Sequence, residues 1–222
     1  MIAIISDIHG NYEALKAVLQ HIDKTNINEI YCLGDIVGYY PQVNECCDEL
    51  IRRNIKCILG NHDWYMISDT KCIRSKSAND CIEIQKKIIT DNNLSWLRSL
   101  PIYIKTECLS LVHAGWSNPI DEYLFEIKSG YFDDIDGNYF CSGHTHIPQI
   151  LKFGEKIYCN PGSVGQPRDF DPRASFAIFD GKKFEIIRVN YNIDAICQVS
   201  KDYGYDEYYY NRLTKGLRNF KE

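Results

Sequence analysis

The stretch MIAIISDIHGNYEALKAVLQHID, residues 1–23, decides the fold. It opens on an apolar run, Met1-Ile-Ala-Ile-Ile-Ser6, of the composition that favours a strand. A polar loop follows, Asp7-Ile-His9-Gly10-Asn11. From Glu13 to Asp23, Leu15, Val18, Leu19 and Ile22 then fall on one face of a helix. The pattern recurs outward. Residues 30–33 read as a second strand, Val43, Cys46, Cys47, Leu50 and Ile51 mark a second amphipathic helix, and residues 56–59 read as a third strand. This βαβαβ rhythm implies a parallel sheet with helices packed on it, an α/β class.

Residues 68–99 turn helical again, with Ile82, Ile88, Ile89, Leu94, Trp96 and Leu97 apolar, and Pro101 ends the run. Beyond it strands dominate, at 102–106, 109–112, 139–142, 149–152, 156–159, 174–179 and 183–189, the last two joined by an Asp180-Gly181 hairpin turn. Residues 115–137 are less regular and predict a helix and loop near a sheet edge. From about residue 191 a terminal helical tail carries Tyr203, Tyr205, Tyr208, Tyr209 and Tyr210, whose rings are expected to pack over a sheet face; a lid or a contact between copies is the alternative. One domain is expected over 1–222.

Composition narrows the function. The 222 residues are 45% hydrophobic and 25% charged, globular proportions. No apolar run approaches the ~18 residues of a membrane span, and no basic leader precedes the first strand, so a cytoplasmic protein with no membrane partner is expected. A net charge of −5 argues against general nucleic-acid binding, so any anionic ligand must be drawn in locally. Ten cysteines, none in a Cys-x-x-Cys pair, read as reduced core thiols.

Five of the six histidines lie in short polar loops after predicted strands: Asp7-Ile-His9, Asn61-His62-Asp63, His113-Ala-Gly115 and His144-Thr-His146. A further strand end carries Gly34-Asp35. His21, on the first helix, reads as an ordinary surface residue. Ligands of an open α/β sheet meet at the carboxyl ends of its strands, so these loops are expected to converge. Asp7 and His9 are two apart, as are His144 and His146; in extended chain that spacing turns both side chains of a pair the same way.

Two carboxylates (Asp7, Asp35), one amide (Asn61) and four imidazoles (His9, His113, His144, His146) make seven candidate ligands. That is too many for one ion and suits two sharing a carboxylate. The N/O donor set without thiolates fits Mn, Fe, Zn, Co or Ni, with Mn the ion of choice in vitro. With a bridging hydroxide the centre would carry about +1, a local sink for phosphate. Two ions about 3.5–4 Å apart can hold a phosphoryl group and stabilise attacking and leaving oxygens.

In these motifs the sequence resembles the calcineurin-like dinuclear metallophosphoesterases, closest in look to small single-domain bacterial and archaeal members. The resemblance runs through Ser6-Asp7-Ile-His9-Gly-Asn11, Gly34-Asp35-Ile-Val-Gly38, Gly60-Asn61-His62-Asp63, Val112-His113-Ala-Gly115, Gly143-His144-Thr-His146 and Asn160-Pro-Gly-Ser163-Val-Gly165-Gln-Pro-Arg168. It implies a sandwich of two mixed β-sheets packed face to face and flanked by helices. It also implies one metal on Asp7, His9, Asp35 and His146 and another on Asp35, Asn61, His113 and His144, Asp35 bridging. His62 would protonate the leaving oxygen, with a metal-bridging hydroxide as the attacking group. The loop from Asn160 would wall the site, with Arg168 and Asn11 as candidate phosphate contacts.

The sequence departs from the protein phosphatases of the superfamily, which carry Gly-Asp-x-Val-Asp-Arg-Gly and Gly-Asn-His-Glu. Here Gly38 stands for the Asp that orients the catalytic His, Tyr39 for the Arg that clamps phosphate, and Asp63 for the Glu. This weakens the protein phosphatase and dinucleoside tetraphosphate hydrolase alternatives and leaves the dinuclear centre intact. A nuclease or a non-catalytic scaffold on the same fold are the remaining alternatives. The leading expectation is hydrolysis of a small phosphodiester or phosphomonoester, with a homo-oligomer left open.

Overall fold

In the computed structural model, which describes residues 1–217, the first three strands run parallel as the opening stretch predicts. They are β1 (Ile2–Ile5), β2 (Glu29–Cys32) and β3 (Lys56–Cys57), connected by α1 (Tyr12–Ile22) and α2 (Val43–Arg52). α1 begins where Asn11 Oδ1 accepts a hydrogen bond from Ala14 N, 3.1 Å, satisfying one of the donors left free at a helix start. After β3 come α3 (Asn61–Ile67), α4 (Lys76–Gln85) and α5 (Asp91–Arg98). The strand-rich half contributes β4 (Tyr103–Lys105), β5 (Leu109–Val112), β6 (Tyr139–Cys141), β7 (Gln149–Phe153), β8 (Lys156–Asn160), β9 (Ala174–Phe179) and β10 (Phe184–Val189).

The ten strands make two mixed sheets, ordered β10-β9-β1-β2-β3 and β4-β5-β6-β8-β7. In the second sheet β5, β6 and β8 are parallel, and β4 and β7 close its edges antiparallel. Strand alternation sorts the side chains into layers. Ile4, Tyr31, Leu33 and Phe179 of the first sheet meet Leu109, Leu111, Cys141 and Cys159 of the second, forming the core between them. The opposite face of the first sheet, with Ala3, Ile5 and Phe176, takes the stripes of α1 and α2. On the outer face of the second, Phe140 and Tyr158 pack under Leu124 and Phe132. That cover is a chain of turns and bends, not the expected helix: residues 115–137 hold no helix. Rings such as Phe132 stacked on Phe140, 4.5 Å between centroids, anchor this segment without one.

The tail also differs from expectation. α6 (Ile193–Asp202) and α7 (Glu207–Tyr210) lead into a 3-10 turn, Asn211–Lys215. Tyr205, Leu213 and Ile196 pack against Tyr39, Tyr40, Ala78 and Cys81 rather than over a sheet face. The tail thus leans on the loop after β2 and on α4; its expected end, 218–222, lies outside the described residues. All ten cysteines are free, but only seven are buried: Cys72 and Cys197 are half-buried and Cys108 is exposed. His21 is half-buried, its ring edge-on to Phe176. No described helix is long and apolar enough to cross a membrane.

Leu111 is fully buried between the sheets. Leu111→Ala is expected to cost about 2–5 kcal/mol in urea denaturation, and a loss below about 1 kcal/mol would contradict the packing described.

Candidate metal centre and adjoining cavity

Strands β1, β2 and β3 of one sheet and β5, β6 and β8 of the other are the parallel strands, and the candidate residues follow them. Asp7 and His9 come after β1, Asp35 after β2, Asn61 and His62 after β3, His113 after β5, and His144 and His146 after β6. The structure brings all eight together and buries each one.

The route differs from the extended-chain argument. Asp7, His9, Asp35, His144 and His146 all have left-handed backbone, with φ between +51° and +65°. Tight turns, not strand alternation, aim them. Such conformations are costly for residues with a Cβ and cluster where function demands them. Asn61 and His62 differ again: they open α3 rather than sitting in a loop. Asp63 fixes that start, accepting from Ile36 N at 2.9 Å and Val37 N at 3.1 Å on Oδ1 and from Gly60 N at 2.9 Å on Oδ2. It ties the loops after β2 and β3 together.

The imidazoles are oriented by backbone carbonyls. Nδ1 of His9 lies 3.0 Å from Val37 O, of His113 2.8 Å from Leu33 O, and of His146 2.6 Å from Gln166 O. A carbonyl only accepts, so Nδ1 carries the proton and Nε2 is a bare lone pair in each. Yet His9 Nε2 and His146 Nε2 are 3.1 Å apart, and His113 Nε2 is 3.0 Å from Asn61 Oδ1 and 3.2 Å from His144 Nδ1. In the first two of these contacts acceptor faces acceptor. Asp35 places Oδ2 3.6 Å from His9 Nε2 and Oδ1 3.5 Å from His113 Nε2, so one carboxylate faces both groups. Its Oδ2 has no hydrogen-bond partner.

These contacts repel unless a cation lies among them, and the donor set is one that divalent ions accept. The residues fit a metal. One atom each from Asp7, His9, Asp35 and His146 lies within 4.8 Å of the others, and the same holds for Asp35, His113 and His144.

Burial shifts the protons accordingly. Desolvation, with Asp35 nearby, raises the Asp7 carboxyl to about 7, although His113 opposes it. Desolvation and Asp63 push Asp35 up as well. Desolvation lowers His9, His62 and His146 well below the usual imidazole range, helped by Arg168, and takes His144 down to about 3. His9, His144 and His146 are therefore neutral, as metal ligation requires.

Beside the cluster opens a cavity of about 350 Å³ lined by His62, Asn61, Tyr39, Tyr123, Arg74, Arg168 and Arg212, among others. Arg168 is where a phosphate contact was expected. Asn11 is not: its Oδ1 caps α1 and its Nδ2 donates to Gly165 O at 2.9 Å, so both amide atoms are committed to structure. The sequence reading missed Arg74, Arg212 and Asp121. Asp121 Oδ1 stands 3.5 Å from His144 Nε2 and pairs with Arg74. Nothing local in the sequence signals these three, because each reaches the cavity only through the folding of a distant segment.

Comparison with known proteins agrees with this geometry. Residues 1–183 match the calcineurin-like phosphoesterase superfamily domain. An uncharacterized protein of Methanocaldococcus jannaschii is 40% identical over 98% of this chain and 95% of its own. A metallophosphoesterase from Sphaerobacter thermophilus, known from its crystal structure, is 33% identical with a TM-score of 0.85, covering 97% of this chain and 98% of its own. A symmetrical bis(5'-nucleosyl)-tetraphosphatase of Pseudomonas fluorescens is 29% identical over 61% of this chain and 52% of its own. The chain thus matches about half the length of that tetraphosphatase.

A divalent ion needs Asp7 ionised, and in the metal-free chain that carboxyl titrates near 7. Below that pH the ion must displace a proton from Asp7, and burial pushes up Asp35, a member of both groups, as well. Calorimetric titration with Mn should therefore show affinity falling at least about tenfold per pH unit below 7; affinity that does not change from pH 6 to pH 8 would contradict this.

Proposed function

The chain belongs to the calcineurin-like phosphoesterase superfamily and is a metal-dependent hydrolase of phosphoric ester bonds; on that premise we propose that it cleaves a small phosphodiester or phosphomonoester at the cluster of Asp7, His9, Asp35, Asn61, His113, His144 and His146. The observation that carries the reading is the set of opposed lone pairs around the unpartnered Asp35 Oδ2, with His62 and Arg168 in the adjoining cavity. We assign one ion to Asp7, His9, Asp35 and His146 and a second to Asp35, Asn61, His113 and His144. Two bound divalent ions would polarise the phosphoryl group and lower the pKa of a water beside it.

The remaining work falls to the chain. Arg168 extends a guanidinium over the Tyr39 ring, its carbon 5.6 Å from the ring centre, and donates to Tyr39 Oη at 3.2 Å. It is placed to hold a phosphoryl oxygen. Held by its backbone N–H to Asp35 Oδ1 at 2.8 Å, His62 sits beside His9, ring centres 4.8 Å apart. Its Nδ1 has no partner, so neither tautomer is locked. A ring nitrogen can then present a proton to the leaving oxygen, and an arriving phosphate anion raises the ring's proton affinity.

Protein phosphatases place an orienting carboxylate where this chain has Gly38. A Cβ at Gly38 would lie 2.3 Å from His62 Nδ1, and its φ is +94°. An Asp there would force His62 out of its place, so the protein phosphatase reading is the weaker one. The tetraphosphatase relative makes a dinucleoside polyphosphate a second candidate substrate. A cytoplasmic location and manganese as assay metal are part of this proposal.

With manganese, the protein should hydrolyse bis(p-nitrophenyl) phosphate. Asp7→Asn and His113→Ala are expected to lose bound metal and activity together. His62→Ala should keep its metal while kcat drops about 10²–10⁴-fold. Absence of turnover with Mn, Fe, Zn, Co and Ni alike would overturn the proposal.

A further inference from the structure

Three arginines from distant segments enter the cavity beside the cluster: Arg74 before α4, Arg168 after β8 and Arg212 from the terminal 3-10 turn. They are not equivalent. Arg74 is half exposed and paired with Asp121. Arg168 is steadied by Gln166 Oε1, 2.6 Å from Nη2. Among the described residues, neither Arg168 nor Arg212 forms an ion pair. Arg212 is only 8% exposed, and its Nε and Nη2 make no hydrogen bond.

A buried guanidinium without partners for those donors is costly, and it is retained where a ligand supplies the acceptors. Its carbon lies 4.8 Å from the centre of the Tyr39 ring, whose own centre is 4.7 Å from that of His9 and 4.8 Å from that of His62. One aromatic ring therefore contacts Arg212 as well as His9 and His62. Arg168 lies over the same ring. Two guanidiniums thus contact Tyr39 at the wall of the cavity, and His9 of the candidate metal cluster packs edge-on to the same ring.

We propose that Arg212, with Arg168, forms a subsite for a second phosphoryl group, so that the preferred substrate carries two linked phosphoryl groups, one at the metal cluster and one on these guanidiniums. The inference rests on the phosphoesterase reading and narrows its substrate class to polyphosphate-type compounds. Planar guanidiniums pair with phosphate through parallel N–H donors, which is what the two free donors of Arg212 offer. Arg212 reaches the cavity because the tail folds back on the loop after β2.

The test compares two ligands that share a nucleoside: α,β-methylene-ADP and AMP, titrated calorimetrically into the manganese-loaded enzyme with metal in excess. The diphosphate should bind at least about tenfold more tightly than the monophosphate. In Arg212→Met, which keeps the stem and removes the charge, that gap should shrink to within about threefold, while Arg212→Lys retains part of it. Arg212→Met should also melt no lower than the parent, since a buried charge is replaced by an apolar side chain. Equal binding of the two nucleotides by the parent overturns the proposal even if no variant folds. A gap that persists in folded Arg212→Met overturns it too. Failure of the phosphoesterase reading would show instead as absent aryl phosphodiester hydrolysis, a separate measurement.

Discussion

Three backbone carbonyls, those of Val37, Leu33 and Gln166, constrain everything else in the site. Each takes the Nδ1 proton of one histidine and thereby turns the opposite lone pair inward. Without them the imidazoles could rotate, choose the other tautomer and relieve their repulsion. With them, the repulsion is built in. Each carbonyl belongs to a loop beyond a parallel strand, so the tautomers are set by the same turns that deliver the ligands.

The cost of this arrangement is spread over the fold. Five candidate ligands hold left-handed backbone, and Tyr39 shares that conformation at φ +57°. Buried carboxylates are driven toward their neutral form and buried imidazoles away from their charged one. What offsets these terms is the dense layer between the sheets and the web of bonds joining the loops. Asp63 ties two loops together, and Gln85 accepts from Gly38 N at 2.8 Å while donating to Tyr40 O at 2.6 Å. Gly60 belongs to the same web: a Cβ there would meet Asp35 Oδ1 at 2.1 Å, so only a bare backbone lets the loops after β2 and β3 close up.

Much of this was legible in residue order. Apolar runs and helical stripes marked β1, β2, α1 and α2 within a residue or two, since each is periodic over its own length. The His and Asp loops stood out because buried polar residues of that kind need a shared purpose. Failures came where long-range packing decides. Residues 115–137 have enough apolar side chains to suggest a helix, yet aromatic anchoring on Phe140 and Tyr158 fixes them as turns. Asn11 looked available for phosphate, but its amide is divided between capping α1 and holding Gly165. Arg212 was invisible, because its placement depends on where the last turn docks.

Each candidate metal group draws from both halves of the sandwich. Asp7 and His9 follow β1 of one sheet while His146 follows β6 of the other; Asp35 comes from the first and His113 and His144 from the second. An ion seated in either group would therefore rivet one layer to the other, and sliding of the layers would pull its ligands apart. The apolar filling between Ile4 and Leu111 thus holds the spacing of each group, although neither side chain belongs to one.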